Sequence, residues 1–162
     1  MGARVLTFAP APALRRRAEP VTEFAEALRR LAAEMIETMH ANDGVGLAAP
    51  QVGESLRLCV VGHTQRRGEE LLLANPVIEA QHGRAALTEG CLSLPGAWAK
   101  VKRSAWVRVA AQDRNGNPFR IEAEGLLAII LQHECDHLDG RLFVDRLSWP
   151  ARLRLRLRRR VR

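Results

Sequence analysis

The segment Gly125 to His137 constrains this chain more than any other. Leu126-Leu127-Ala128-Ile129-Ile130-Leu131 is too crowded with large apolar side chains for a surface helix, yet it runs straight into Gln132-His133-Glu134-Cys135-Asp136-His137. A helix apolar on most sides belongs at the centre of a fold, so the polar residues at its end are expected to be buried together. At about 100° per residue, His133 and His137 project within about 40° of each other and can share one ion. Glu134 stands one step round, beside the ion, where a general base could take a proton from metal-bound water. Cys135, about 200° from His133, faces away and reads as a small core residue.

Two histidines need at least one further protein ligand to hold a catalytic ion with an open position. Asp139 and Asp145 follow the helix, but Glu89-Gly90-Cys91-Leu92-Ser93-Leu94-Pro95 presents a cysteine in a glycine-flanked turn, and Cys91 is the expected third ligand. Its alternatives are a buried structural thiol or a nucleophile paired with a histidine. A thiolate beside two imidazoles suits Fe(II), Zn, Co or Ni, and ligand type alone does not choose among them. Gly44-Val45-Gly46-Leu47-Ala48-Ala49 formally matches a dinucleotide fingerprint, but a helical pattern precedes it and Pro50 obstructs a helix interior, so no nucleotide cofactor is expected. The segment reads either as a plain loop or as a turn that admits a substrate backbone while Gln51 donates to a developing oxyanion.

The rest of the chain suits a single domain over 1–162 with a basic segment at 148–162. Phe24, Ala27, Leu28, Leu31, Met35 and Met39 recur at helical steps, which predicts a helix over about 22–41 with Thr22 as its N-cap. Strands are expected at Leu56 to Val61 and Leu71 to Leu73, with a loop between them at about 63–70. Val107, Val109 and Ala111 alternate with Arg108 and Ala110, and Asn115-Gly116 leads into Phe119, Ile121 and Ala123 at the same period, a hairpin signal. The fold class is therefore α+β, with mixed or antiparallel sheets around a central helix at about 126–138. The formal net charge is +7, and seven arginines without one acid lie between Ala151 and Arg162, so the remainder is balanced. That tail alternates Arg with Leu like a strand, yet Leu153, Leu157 and Val161 share a helical face and Ser148-Trp149-Pro150 resembles a helix start, which favours a short basic helix. It either attracts polyanions or forms a solvated terminus. Three cysteines (Cys59, Cys91, Cys135) do not make a disulfide framework and fit a reducing cytoplasm. No apolar run approaches the roughly 20 residues of a membrane span. Arg15-Arg16-Arg17 could open a transit peptide, but Glu19 and Glu23 follow at once.

Taken together, Gly44 to Gly53 (GVGLAAPQVG), Glu89 to Leu94 (EGCLSL) and Gln132 to Leu138 (QHECDHL), in this order and spacing, resemble peptide deformylase, and the resemblance extends more loosely from Val5 to about Ser148. It implies that Cys91, His133 and His137 bind the ion, that Glu134 is the acid/base, and that Gln51 and the Leu92 N–H form an oxyanion hole. It also implies N-formyl-methionyl nascent peptides as substrate and Fe(II) as the usual ion, replaceable by Zn, Ni or Co. Val45, Gly46, Leu87, Glu89, Leu126 and Ile129 are the residues expected to line the substrate. Where many bacterial relatives carry an arginine, this chain has Trp98, and its Arg-rich terminus resembles a ribosome-docking helix. The same H-E-x-x-H occurs in zinc endopeptidases, and a cysteine hydrolase or a ribosome- or RNA-binding module remain the other readings.

Overall fold

The computed structural model describes residues 2–62, 64 and 66–160, with the side chains of 158–160 outside the description. The expected face position of Val161 and the part of the 63–70 loop at His63 and Gln65 lie outside the described residues.

Helix α1 spans Glu26–Ala41, strand β1 Gly46–Ala48, β2 Leu58–Val61, β3 Leu71–His82, β4 Ala85–Glu89, β5 Ala99–Arg103, β6 Trp106–Gln112 and β7 Pro118–Glu124; α2 follows at Gly125–Leu138 and α3 at Trp149–Arg160. Five strands form one antiparallel sheet in the order β1-β2-β3-β6-β7, and β4 pairs with β5 in a separate two-stranded ribbon. The expected α+β class and the central helix are both borne out.

Strand β2 explains how the layers assemble. All four of its residues are buried, because alternate side chains face opposite helices. Leu58 and Val60 join Leu28, Leu31, Met35 and Met39 of α1 in one core cluster. Cys59 and Val61 join Ala128, Ile130, Leu131 and Leu138 of α2 in another, together with Val107, Val109 and Ala123 from the β6–β7 hairpin. The sheet thus carries α1 on one face and α2 on the other. A third cluster, with Leu14, Leu94, Val101, Leu142 and Phe143, lies under the β4–β5 ribbon and receives Ala151 and Leu155 of α3.

Three boundaries differ from the expected ones. Helix α1 begins at Glu26, not Thr22, because Asn75 clamps the preceding chain: its Oδ1 accepts the Val21 N–H at 2.8 Å and its Nδ2 donates to the Val21 carbonyl at 2.9 Å. Strand β3 runs nine residues past Leu73, through Asn75-Pro76, which reads as a breaker. Asn75 adopts φ 52° and the register shifts between Ala74 and Val77, so the proline sits in a bulge, where a missing N–H is tolerated. Strand β2 begins at Leu58 rather than Leu56; α2 starts where expected, entered from β7 without a linker through Gly125 at φ 59°. The basic terminus is helical, as favoured: the Ala151 and Leu155 face docks on the third cluster, which a strand could not achieve at this spacing. No described helix is long and apolar enough to cross a membrane.

Candidate metal centre and its cavity

Helix α2 delivers His133 and His137 to one point, and the turn after β4 delivers Cys91 to the same point. Their ligand atoms all lie within 4.8 Å of one another. His137 Nε2 is 3.2 Å from His133 Nε2 and 3.2 Å from Cys91 Sγ. A tetrahedral ion with bonds of about 2.0–2.3 Å separates its nitrogen and sulfur ligands by about 3.3–3.6 Å, so this donor set is already close to the size of a transition-metal site. Asp139 and Asp145, the alternative ligands, are used elsewhere: Asp139 accepts from Arg57 at 2.8 Å, and Asp145 pairs with Arg15 and accepts the Leu142 N–H.

The charges around the cluster favour a cation. Burial opposes a charge on His133, but hydrogen bonds with Cys91 and Glu89 and the nearby Glu134 outweigh it, and the pKa rises to about 10. His137 moves the other way, well below the ordinary histidine value, through burial and the neighbouring His133 charge. Of the two rings only His133 thus favours the charged form, and a bound ion would take the place of that charge.

Second-tier groups hold the ligands. The ring of His133 is oriented by Glu89 Oε2, 2.9 Å from Nδ1, the arrangement that fixes which nitrogen faces a metal. Burial works against the Glu89 charge, yet hydrogen bonds from Arg103 and His133 keep its pKa below the ordinary value. Arg103 donates to it twice, Nε to Oε1 at 2.6 Å and Nη2 to Oε2 at 2.9 Å. Glu89 lines the cavity, but its carboxylate is occupied by Arg103 and His133 rather than offered to a ligand.

Glu134 lies beside the cluster, almost fully buried, with Oε2 lacking any hydrogen-bond partner. Burial pushes its pKa up to about 7. Its other oxygen rests against the backbone of Gly46, so close that a Cβ there would overlap Oε1. Gln51 is set by a 3-10 turn, Ala49–Val52, that directly follows β1. Its Oε1 accepts the Ala48 N–H at 2.9 Å, which turns Nε2 toward Ser93 Oγ (3.2 Å) and Cys91 Sγ (3.6 Å).

A cavity of about 680 Å³ opens onto this centre. Val45, Gly46, Gln51, Leu87, Glu89, Leu92, Leu126 and Ile129 all line it, together with Cys91, His133 and Glu134. Ile129 is buried at its depth, while Leu87 and Leu126 are exposed at its mouth. Trp98 also lines the mouth, 64% exposed, its ring lying on Gly90 where a Cβ would come within 2.6 Å of Cζ3. Arg103, Ser93 and Ile130 belong to the assembly without having stood out in the sequence. Arg103 carried one legible clue, an arginine at the same two-residue period as the apolar Ala99 and Val101, and Ile130 was hidden by its position between Ile129 and Leu131.

The polypeptide deformylase family profile matches residues 3–152 of this chain. A peptide deformylase from Tolumonas auensis is 46% identical over 152 residues, covering 94% of this chain and 90% of that protein. Among solved structures, a peptide deformylase from Legionella pneumophila superposes with a TM-score of 0.92 at 45% identity, covering 99% of this chain and 98% of the other. A peptide deformylase from Synechococcus elongatus, solved in complex with actinonin, gives 0.89 at 40% identity over 96% of this chain and 85% of the other.

Proposed function

The chain belongs to the polypeptide deformylase family, whose members remove the N-formyl group from nascent polypeptides, and from that premise we propose how its own residues carry the reaction. The observation that supports this reading best is the convergence of Cys91, His133 and His137 within 4.8 Å beside the buried Glu134 carboxylate. These three residues would hold one divalent ion, Fe(II) in the cell, with Zn, Ni or Co as substitutes. Such an ion supplies Lewis acidity, which acidifies water and polarises a carbonyl.

Glu134 takes the proton from the attacking water at its unpartnered Oε2 as the water oxygen bonds to the formyl carbon. The formyl oxygen gains negative charge and accepts hydrogen bonds from Gln51 Nε2 and the Leu92 N–H, each worth roughly 3 kcal/mol in comparable sites. Glu134 then returns its proton to the departing nitrogen, the C–N bond breaks, and formate and a free N-terminus leave. Val45, Leu126, Ile129 and the exposed Leu87 form the apolar wall against which the methionine side chain lies. Gly46 lies on β1, an edge strand, whose open side would take the peptide backbone. Glu89 orients His133.

Purification without air, with bound metal quantified and formate release measured from formyl-Met-Ala-Ser in the same sample, tests the assignment. Release should track metal content, vanish with a chelator and return with Fe(II) or Ni, while acetyl-Met-Ala-Ser stays intact. Undiminished release after chelation would point to Cys91 as a nucleophile instead and sink the metal reading.

The location is the cytoplasm, and the basic helix α3 is a contact for the ribosome. Ala151 and Leu155 face the body, which leaves Trp149, Leu153 and Leu157 exposed in a stripe flanked by arginines. Changing Arg154 and Arg156 to Glu is expected to weaken ribosome binding several-fold, more at low salt, with hydrolysis of the tripeptide unchanged. Equal sedimentation of variant and parent with ribosomes would remove this role from α3.

A further inference from the structure

We propose that Arg146, outside every motif of the site, is a positioning residue for the metal centre: its grip on Asp136 leaves Arg103 free to grip Glu89, and Glu89 sets the ring of His133. The inference rests on the metal reading above. Arg146 closes a 3-10 turn, Phe143–Arg146, between α2 and α3. Its Nε donates to Asp136 Oδ2 at 2.6 Å and its Nη2 to Oδ1 at 2.5 Å, a two-pronged contact. Arg103 spends its own two-pronged contact on Glu89 and reaches Asp136 with Nη1 alone, at 2.8 Å. Charges thus alternate in an unbroken row, Arg146, Asp136, Arg103, Glu89, ending on His133 Nδ1.

The row has one guanidinium fewer to give if Arg146 is lost. Asp136 and Glu89 are both buried carboxylates, and a buried carboxylate with an unmet oxygen draws any donor within reach. Arg103, itself buried, would be the nearest donor left to both. Each bond it turned toward Asp136 would be withdrawn from Glu89, and Glu89 Oε2, which receives both Arg103 Nη2 and the His133 ring, would shift with it. A histidine ligand whose outer nitrogen is loosely held binds its ion less firmly, by about 10- to 100-fold when such partners are removed.

The test uses the full chain loaded with nickel and follows transfer of the metal to a competing chelator. Arg146→Ala is expected to release nickel about tenfold faster than the parent. Arg120→Ala, which breaks a surface pair with Glu79, should release it at the parental rate. The decisive comparison is in a Glu89→Gln background, where the relay to His133 is already cut: there Arg146→Ala should add no further acceleration. Parental release from Arg146→Ala, or its full tenfold effect persisting in the Glu89→Gln background, overturns the proposal. Should Arg146→Ala fail to fold, Arg146→Lys, which keeps the charge and loses the two-pronged contact, carries the same pair of comparisons. Because no peptide enters the assay, a chain that releases nickel as expected yet yields no formate would sink the deformylase mechanism alone.

Discussion

Exchange of Glu134 for Gln is expected to lower formate release by about a thousandfold or more while the protein keeps its ion. Glutamine has the shape of the buried carboxylate and leaves Cys91, His133 and His137 untouched, so metal content and fold should match the parent. What it lacks is the ability to accept a proton. The side chain sits where a proton acceptor works best, since burial, which outweighs the nearby His133 and Arg103 charges, moves it up to about 7, near the working pH. The active form is the carboxylate, which exists above that pKa, so the parental kcat/KM should fall as the pH is lowered. A dication bound next to Glu134 draws the pKa down, which places the midpoint of the acid limb at or below about 7. Formate assays between pH 5 and 9 on equal amounts of loaded enzyme measure both effects. A Gln variant retaining more than a tenth of parental turnover would remove Glu134 from the proton path.

Period and chemistry together made α2 legible. Large apolar residues on every side demanded a buried helix, and two histidines four steps apart demanded a shared face, with no need of tertiary information. The β6–β7 hairpin was equally plain, since Val107, Val109, Ile121 and Ala123 alternate around Asn115-Gly116. The β4–β5 ribbon was not legible, because Ala85–Glu89 buries only Glu89, a charged residue, and Ala99–Arg103 buries Val101 and Arg103. A buried ion pair reads in sequence as two ordinary surface residues; its partners are separated by the chain and meet only after β4 and β5 have paired. The same reason hid Asn75, whose amide holds Val21 extended and moves the start of α1 four residues from Thr22. Local patterns reported what local forces decide, and the supports of the metal centre are decided by contacts over long separations.

Gly46→Ala is the second substitution expected to act strongly, and it acts on Glu134 through space rather than through chemistry. A methyl group at this position would overlap Glu134 Oε1 and lie 2.9 Å from both Glu134 Cδ and Ile130 Cγ2. The backbone of Gly46 cannot withdraw, because β1 is laced to β2 with Gly46 opposite Val61. Glu134 and Ile130 are both buried on a helix packed against the sheet and both line the cavity, so the methyl group would displace them toward it. The carboxylate must therefore shift by a substantial fraction of an ångström, and misplacement of a catalytic group by about 1 Å can lower turnover about a hundredfold. Overpacking of this kind also lowers stability by about 1–3 kcal/mol. The loss should appear in kcat, with metal content unchanged, since Gly46 is on the Glu134 side of the cluster and not among its ligands. Gly90→Ala offers the contrast: its methyl group would meet the exposed Trp98 ring, which can swing into solvent, so stability and metal content should change little. If Gly46→Ala turned over substrate within threefold of the parent, the seat of the Glu134 carboxylate against this glycine would not govern the rate.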